Sequence, residues 1–252
     1  MRKLIAYPLS VVYYLLFGCT LLFFHPIQWV CFNLFGYKAH KKSVDALNFF
    51  LLINTYVLGT RYKVKNKEKL PKEGGPFIIV SNHQSMYDVT TLGWFMRKLH
   101  PKFISKVELG KGIPSISYNL KHGGSVLITR NNPKQSLSAI KEIGQYIEKN
   151  KRSVIIFPEG TRSKNGKPKP FAENGIKILC KYAPSAHIIP VTINNSWKIT
   201  QWNSFPLGIG NMIELTIHDT LSVKDMPFEE IFEKTEHSVV GDITKAELLS
   251  EK

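Results

Sequence analysis

Two short polar segments each follow an apolar stretch, and their residue types are suited to proton transfer beside a bound anion. The segments are Asn82-His83-Gln84-Ser85-Met86-Tyr87-Asp88 and Phe157-Pro158-Glu159-Gly160-Thr161-Arg162-Ser163. A neutral imidazole can take a proton from a hydroxyl at about pH 7, and a buried carboxylate on its other ring nitrogen fixes the tautomer. We therefore predict that His83 is a general base and that Asp88 orients it.

The predicted pair lacks a serine presented for nucleophilic attack. The chain contains no Gly-x-Ser-x-Gly elbow, and Ser85, inside the first segment, is the rival nucleophile. A substrate hydroxyl can take the place of a protein nucleophile. The sequence therefore favours direct transfer to that hydroxyl over a covalent intermediate.

The spacing of His83 and Asp88 constrains the local structure. Positions five apart in one straight helix point about 140° away from each other, so the two side chains would not meet there. Residues 76–80 have the pattern of a buried strand and residues 90–98 that of a helix. We expect His83 in the loop and Asp88 in the first helical turn, at the strand end where open α/β sheets bind ligands.

The second segment follows another apolar stretch, residues 153–157, and has the composition of an anion-binding turn. Gly160 allows a sharp turn close to a ligand, Thr161 offers a hydroxyl and an amide, and Arg162 offers a planar fork for phosphate oxygens. The alternative is an ordinary solvated turn with an arginine on the surface. Together, the two segments predict a base and an anion clamp in one site.

Four segments resemble the signature blocks of the glycerophospholipid acyltransferases, the group that contains the 1-acylglycerol-3-phosphate acyltransferases. In chain order they are Asn82-His83-x-x-x-x-Asp88, Gly124-Ser125-Val126-Leu127-Ile128-Thr129-Arg130, Phe157-Pro158-Glu159-Gly160-Thr161-Arg162-Ser163 and Ile188-Ile189-Pro190-Val191. Their order and spacing match the family over about residues 60 to 220. The family often has Asp or Asn directly before the arginine of the second block, where this chain has Thr129.

The resemblance implies acyl transfer from a thioester to the free hydroxyl of 1-acyl-sn-glycerol 3-phosphate, which gives phosphatidic acid. Glycerol 3-phosphate or another lysolipid is the alternative acceptor. Acyl-CoA or acyl carrier protein would supply the acyl group, and no further cofactor is implied.

The same resemblance assigns roles to individual residues. It implies His83 as the general base and Asp88 as its orienter. The residues implied around the acceptor phosphate are Arg130, Glu159, Gly160, Thr161 and Arg162. Lys106, in a segment that resembles a border of the family's site, is a candidate for stabilising the tetrahedral oxyanion, and the alternative is a lysine held in solvent.

The charge of the chain indicates anionic partners. Its 252 residues carry a formal net charge of +15, which attracts phosphate head groups or nucleic acid. A non-catalytic basic protein that binds anionic lipid or nucleic acid is therefore the alternative from another functional class. As an enzyme, the protein is expected to have lipid partners and no nucleic acid partner. The cysteines and histidines show no disulfide framework or metal-ligand spacing, so no required metal is predicted.

The N-terminal region is apolar enough for a membrane anchor, since residues 4–37 contain no Asp, Glu, Lys or Arg. Residues 4–24 could cross a bilayer once, because about 20 apolar residues suffice. Alternatively, His25-Pro26 could break the stretch into two helices that enter and return, and the basic residues on both flanks favour this return to the cytoplasmic side. We predict membrane association with the active site on the cytoplasmic face; a buried apolar hairpin in a soluble protein is the alternative.

The rest of the chain alternates between strand-like and helix-like segments, which predicts an α/β fold with a central mixed sheet flanked by helices. We divide the chain into an N-terminal helical anchor, residues 1–60, and an α/β acyltransferase domain, residues 61–252. The basic segment 61–67 would contact anionic head groups or form an edge strand protected by lysines. Further strands are predicted at Ile104, 126–128, 154–157, 188–193 and 212–217, and helices at 133–150, 171–182 and 228–233.

Overall fold

One sheet lies between two groups of helices. The computed structural model describes residues 1–72, 74–129 and 131–250, with side chains described through residue 243 of the last range. The strands are β1 (Arg61–Lys65), β2 (Phe77–Ser81), β3 (Pro101–Lys106), β4 (Val126–Ile128), β5 (Ser153–Ile156), β6 (His187–Asn194), β7 (Met212–Ile217) and β8 (Leu221–Ser222). The helices are α1 (Arg2–Asn54), α2 (Tyr87–Phe95), α3 (Ile116–His122), α4 (Pro133–Asn150), α5 (Glu173–Tyr182) and α6 (Phe228–Ser250).

The strands form one mixed sheet in the order β1-β7-β6-β2-β5-β3-β4, with β8 paired to β6. Strands β6, β2, β5, β3 and β4 run parallel to one another, whereas β7 runs antiparallel to β6. This arrangement confirms the predicted mixed sheet. Because the parallel strands share one direction, the segments that follow β2, β5, β3 and β4 all leave from the same edge, which we call the carboxyl edge.

Strand β2 is buried on both faces, which accounts for its four consecutive apolar residues, Phe77 to Val80. Phe77 and Ile79 pack into the core that includes residues of α1 and α2, whereas Ile78 and Val80 pack into the core with α4, α5 and α6. The alternation follows from the two-residue period of a strand. Both helical layers therefore hold β2, and with it the loop of residues 82–86 that follows, which we call the base loop.

Helix α1 is a hairpin of two helical arms whose turn is at Gly36. This residue has φ 75° and ψ −172°, a conformation that glycine adopts readily and other residues only under strain. The first arm comprises residues 2–35 and the second arm residues 37–54. The predicted break at His25-Pro26 is wrong, since Pro26 lies inside the first arm. A proline has a φ compatible with a helix, whereas this reversal of the chain uses the positive φ of a glycine.

The two arms of the hairpin pack antiparallel to each other. The rings of Phe24 and Phe50 lie 5.5 Å apart, and the side-chain amide of Asn54 donates a hydrogen bond to the Thr20 hydroxyl at 2.9 Å. A small core that includes Leu21 fills the space between the arms. Of the two predicted geometries, the structure therefore has the returning hairpin and not the single straight span.

The first arm lies along the α/β part of the chain. Tyr13 packs edge-on against Tyr87 with ring centroids 5.9 Å apart, and the Leu207 amide donates to the Ser10 hydroxyl at 2.7 Å. By length and composition alone, α1 is apolar enough to cross a membrane. Its uncovered side exposes large apolar side chains, which we call the apolar face: Leu4, Leu15, Leu22, Phe23, Trp29, Leu34 and Phe35.

Several other elements test the sequence predictions. The helix predicted at 133–150 is α4, and β1 lies at the edge of the sheet, which confirms the edge-strand prediction for that basic segment. The helix predicted at 228–233 is too short, because buried residues continue at four-residue spacing in α6 through Ile243. Strand β8 and helix α3 were not predicted, because two and seven residues give too little periodic signal.

Candidate active site

His83 lies in the base loop and Asp88 in the first turn of α2, as their spacing predicts. The ring nitrogen Nδ1 of His83 is 2.9 Å from Asp88 Oδ2. With Nδ1–H donated to the carboxylate, the imidazole is held in the tautomer whose Nε2 can accept a proton. The His83 side chain is 14% exposed and that of Asp88 is fully buried. Asp88, the predicted orienting residue, is therefore shielded from solvent, whereas His83, the predicted proton acceptor, is partly exposed.

The Asp88 carboxylate is surrounded by donors. Besides His83, Oδ2 accepts hydrogen bonds from the amides of Gln84 at 2.7 Å and Ser85 at 2.8 Å. The other oxygen, Oδ1, accepts from the hydroxyls of Ser85 at 3.3 Å and Ser196 at 2.5 Å. Its position in the first turn of a helix also favours a negative charge. These contacts stabilise the ionised carboxylate in a fully buried position.

The segment after β5, residues 157–172, holds the base loop in place, and we call it the clamp loop. The His83 ring stacks on Phe157 with centroids 4.1 Å apart and planes 17° apart. The main-chain amide of His83 donates to Glu159 Oε1 at 2.9 Å, and its carbonyl accepts from the Ser163 amide at 2.7 Å. The clamp loop therefore contacts His83 at its ring, its main-chain amide and its carbonyl.

Glu159 is buried between the two loops and accepts hydrogen bonds from main-chain amides. Its carboxylate accepts from the His83 amide and, through Oε2, from the Lys169 amide at 3.3 Å. Burial raises the pKa of the Glu159 carboxyl to about 7, although both amides favour its ionised form. The structure thus uses this side chain to join the two loops, and its predicted contact with an acceptor phosphate stays a prediction.

The turn after Glu159 carries the other predicted clamp residues. Gly160 has φ 67°, and a Cβ added there would meet open space. Thr161 and Arg162 are exposed, and among the residues that the structure describes, the Arg162 guanidinium bonds no protein group. The ammonium of Lys169 donates to the Thr161 hydroxyl at 2.6 Å and to the Arg162 carbonyl at 3.0 Å. Two cationic side chains therefore lie on this turn, and the arginine fork is open to an anion.

Lys106 lies at the carboxyl end of β3, two strands away from β2 along the carboxyl edge. With Glu108, Thr129 and Asn131 it lines a cleft of about 220 Å³. Strands are spaced about 4.8 Å apart, which puts the end of β3 roughly 10 Å from the end of β2. Arg130, predicted at the end of β4, lies outside the described residues. The structure therefore places Lys106 on the same edge as His83 and leaves the role of each predicted cation as a prediction.

The family model described as Acyltransferase matches residues 61–194, more than half of the chain, from the start of β1 to the end of β6. The chain belongs to the acyltransferase family. This confirms the resemblance found in the signature blocks, all four of which lie inside the matched range.

Several curated relatives of this acyltransferase-family chain carry one name, 1-acyl-sn-glycerol-3-phosphate acyltransferase. A chloroplastic one from Brassica napus is 32% identical over 155 residues, which cover 62% of this chain and 43% of that protein. One from Helicobacter pylori is 37% identical over 147 residues, covering 56% of this chain and 58% of that protein. The chain thus spans less than half the length of the plant relative and somewhat more than half of the bacterial one.

A solved structure has the same fold. The crystal structure of the 1-acyl-sn-glycerophosphate acyltransferase from Thermotoga maritima matches with a TM-score of 0.82 and covers 98% of both chains. Its sequence is 24% identical to this chain. The likeness includes the hairpin, since it extends over almost the whole length, and it shows that this acyltransferase-family chain shares the complete fold.

Two residues that contact the site, Ser196 and Lys169, are not among those predicted from the sequence. Lys169 is in the clamp loop, near enough in sequence to Arg162 that a run of cations was a usable signal. Ser196 follows β6, and only its position after a strand of the carboxyl edge pointed to the site. The Asn82 side chain exchanges hydrogen bonds with the backbone of Ile193 in β6, at 2.8 Å and 2.7 Å, and so joins the base loop to that strand.

Proposed function

We propose that the protein transfers an acyl group from an acyl thioester to the free hydroxyl of 1-acyl-sn-glycerol 3-phosphate, giving phosphatidic acid. The observation that carries this proposal is the pair of His83 and Asp88, hydrogen-bonded at 2.9 Å at the carboxyl edge, beside a loop that presents the exposed guanidinium of Arg162. The names of the relatives support the same acceptor. The fold and family membership are consistent with it.

The reaction follows from the geometry of the pair. Nε2 of His83 removes the proton of the acceptor hydroxyl while its oxygen attacks the thioester carbonyl carbon. The buried Asp88 carboxylate stabilises the imidazolium that forms. Collapse of the tetrahedral intermediate forms the ester, breaks the carbon–sulfur bond and releases the thiolate, which takes the proton back from the imidazolium. No cofactor is consumed, and the pair returns to its starting state.

Ser85 is poorly placed to act as a nucleophile. It is 1% exposed, its hydroxyl donates to Asp88 at 3.3 Å, and the same oxygen accepts from the Tyr87 amide at 3.2 Å. A nucleophilic serine needs an accessible hydroxyl that donates to its base. This environment supports direct attack by the acceptor hydroxyl, without an acyl-enzyme.

The acceptor phosphate is proposed to bind at the turn of Gly160, Thr161 and Arg162. Arginine matches phosphate oxygens with two parallel donors, and the glycine lets the backbone come close. Lys106 would extend the positive charge along the carboxyl edge and is the candidate donor to the oxyanion. Arg130 stays a predicted phosphate contact, since it lies outside the described residues. A donor thioester, either acyl-CoA or acyl carrier protein, would approach along this basic edge.

Membrane association is proposed to place this site next to its lipid acceptor. The apolar face of the hairpin supports it, because contiguous exposed apolar side chains on a protein indicate a membrane or protein contact. From Gly36 the second arm runs back along the first arm as far as Thr20, and this reversal supports an active site on the cytoplasmic face. Such an anchor would hold the site at the lipid surface without crossing it.

Purified protein in detergent, assayed with a matrix of acceptors and donors, tests the proposal. Acceptors would be lysophosphatidate, glycerol 3-phosphate and an uncharged lysolipid, each with acyl-CoA and with acyl carrier protein thioester. We expect turnover to be fastest with lysophosphatidate and to fall about a thousandfold in His83→Ala, since a general base contributes about that factor. His237→Ala, a change at an exposed histidine of α6, is the matched control and should keep the parent rate.

Two results would contradict the proposal. If the parent protein acylates no acceptor while it binds anionic vesicles in a salt-sensitive way, the protein is a basic lipid-binding protein and not this enzyme. If His83→Ala acylates lysophosphatidate at the parent rate, His83 is not the base.

A further inference from the structure

Ser196 contacts the orienting carboxylate from a distant part of the chain. It begins the 3₁₀ turn after β6, and its hydroxyl donates to Asp88 Oδ1 at 2.5 Å across 108 residues of sequence. Its amide donates to the side-chain oxygen of Gln84 in the base loop at 3.1 Å. The residue is completely buried. Both of its donors are therefore used on the motif that carries His83.

We propose that Ser196 is a positioning residue for proton transfer: its hydroxyl fixes the rotation of the Asp88 carboxylate and withdraws part of its negative charge. In this way Ser196 sets how strongly Asp88 holds the protonated imidazole of His83. The inference rests on the proposed function and adds to it a residue outside the signature motifs that carry its base and clamp.

The two carboxylate oxygens of Asp88 are held differently. Oδ2 accepts from His83 and from two amides of the base loop, all within five residues of Asp88. Oδ1 accepts from the Ser85 hydroxyl at 3.3 Å, which is long for an O–H donor, and from Ser196 at 2.5 Å. The shorter contact to Oδ1 comes from Ser196. Without it, the carboxylate keeps its local bonds but gains freedom to turn about its Cβ–Cγ bond, which changes the direction in which it holds His83.

The hydroxyl also affects charge. A hydrogen bond donated to a carboxylate spreads its negative charge and lowers its attraction for a neighbouring cation. Removal of the Ser196 hydroxyl therefore strengthens the hold of Asp88 on the imidazolium. Because His83 must be neutral to accept the proton of the acceptor, the acidic limb of the pH–rate profile then moves to higher pH. Glu159 of the clamp loop also faces His83, since its carboxylate accepts from the His83 amide, but it is present in the parent and in both serine variants and its effect on the limb is common to all of them.

Ser153 provides a matched control for the loss of a buried serine hydroxyl. It is also completely buried, lies at the start of β5, and donates its hydroxyl to the Leu99 carbonyl at 2.8 Å. Strand β5 leads away from this point toward the clamp loop, so Ser153 lies at the opposite end of the sheet from the carboxyl edge. If removal of any buried serine hydroxyl lowers kcat, the decrease should therefore be similar in Ser153→Ala and Ser196→Ala.

The experiment compares kcat, KM and the pH–rate profile of the parent, Ser196→Ala and Ser153→Ala, all in detergent and normalised to the folded fraction. We expect Ser196→Ala to lose about tenfold in kcat, the value of one hydrogen bond to a charged group, with acceptor KM unchanged. The acidic limb of the Ser196→Ala pH–rate profile should move to higher pH. Ser153→Ala should match the parent in kcat and in the position of this limb. Ser196→Thr keeps the hydroxyl, so the acidic limb of its pH–rate profile should match that of the parent even if the added methyl group lowers stability.

A spectroscopic measurement separates this inference from the proposed function. The Nδ1 proton shared by His83 and Asp88 should give a low-field proton resonance that is absent in His83→Gln, changed in Ser196→Ala and unchanged in Ser153→Ala. This measurement needs no substrate, so it tests Ser196 even if the parent protein acylates no lysophosphatidate. The inference is overturned if Ser196→Ala keeps the parent resonance, or if its kcat and acidic limb match those of Ser153→Ala.

Discussion

The carbonyl of His83 accepts a hydrogen bond from the Ser163 amide at 2.7 Å, so the predicted base and the residue next to Arg162 are joined through the backbone. Glu159 adds a second link on the amide side of His83. The base loop and the clamp loop are therefore one unit. If His83 is the base and Arg162 the anion clamp, as predicted, these backbone links hold their main chains close together, which would suit an acceptor whose hydroxyl and phosphate belong to one small molecule.

Replacement of Asp88 by Asn should abolish most of the activity while preserving the shape of the side chain. The carboxamide carries no charge to stabilise the imidazolium, and its NH₂ group can orient the imidazole in the wrong tautomer. We expect kcat to fall about a thousandfold with little change in acceptor KM. Steady-state kinetics would measure this, with Asp225→Asn at an exposed position as the control. A loss of less than about tenfold would argue against the orienting role.

Arg162→Ala tests the anion clamp. Because the guanidinium is exposed and bonds no described protein group, its removal should leave the fold intact and weaken the binding of a phosphate. We expect the KM of phosphorylated acceptors to rise about tenfold or more, the value of one charged hydrogen bond, with uncharged acceptors unaffected. Arg61→Ala, at an exposed position on the edge strand β1, is the control. An equal loss with phosphorylated and uncharged acceptors would contradict the clamp.

Glu159→Gln should remove a pH-dependent loss of stability. Burial raises the pKa of this carboxyl from 4.5 to about 7, so the folded protein retains a proton that the unfolded chain releases between these values. The stability that this raised pKa contributes is fully present below about pH 4.5 and is lost as the pH rises through about 7. The melting temperature of Glu159→Gln, relative to the parent, should therefore rise between about pH 5 and about pH 8.

Thermal unfolding across this pH range measures the effect of Glu159. The glutamine also changes the hydrogen bonds to the amides of His83 and Lys169, but that offset does not depend on pH in this range. Glu142→Gln, at an exposed position of α4, is the control, and the difference between its melting temperature and that of the parent should not change with pH. If the melting temperature of Glu159→Gln relative to the parent also stays constant with pH, this carboxyl does not titrate as its burial indicates.

Gly36 and Gly18 form a matched pair in the hairpin, since a Cβ added to either would meet no atom within 4 Å. Gly36 has φ 75°, so Gly36→Ala should strain the backbone by about 1–3 kcal/mol. Gly18 has no positive φ and lies within the first arm, so Gly18→Ala should stabilise the helix by about 1 kcal/mol. In detergent, the melting temperature should fall for Gly36→Ala and rise for Gly18→Ala. If both variants shift in the same direction, the turn of the hairpin is not at Gly36.

Phe23→Glu tests the apolar face. The Phe23 side chain is 66% exposed in the first arm, and a carboxylate there would oppose burial in a lipid layer. We expect binding to phospholipid vesicles to fall about tenfold or more, because burial of such a ring stabilises binding by about 1.5–3 kcal/mol. Leu137→Glu, at an exposed apolar position of α4, is the control in a vesicle flotation assay. Equal binding by both variants would exclude the hairpin as the lipid contact.

The sequence predicted those parts of the site that depend on neighbouring residues. The five-residue spacing of His83 and Asp88, between an apolar strand and a helix, required a loop and a first turn, and the structure has both. The order of the parallel strands then brings residues after β2 and β5 together, although they are more than seventy positions apart. The chemical roles of these residues stay predictions.

Other parts could not be predicted because they depend on contacts that leave no local pattern. Ser196 reaches Asp88 across 108 residues, and Glu159 bonds main-chain amides that every residue carries. The turn of the hairpin was assigned to Pro26, the strongest helix breaker in the segment, but the chain reverses at Gly36. A proline interrupts one hydrogen bond, whereas a reversal of this kind needs a positive φ, and sequence pattern alone did not show which glycine supplies it.

The contacts of the first arm have a consequence for biosynthesis. Tyr14 donates its phenolic hydrogen to the Ser204 carbonyl, a partner 190 residues further along the chain. A ribosome makes the N-terminal segment first and reaches Ser204 only 190 residues after Tyr14. The second arm and Tyr87, which also contact the first arm, are made much earlier than Ser204. During synthesis the first arm can therefore pack against these segments first and reach the segment around Ser204 only later.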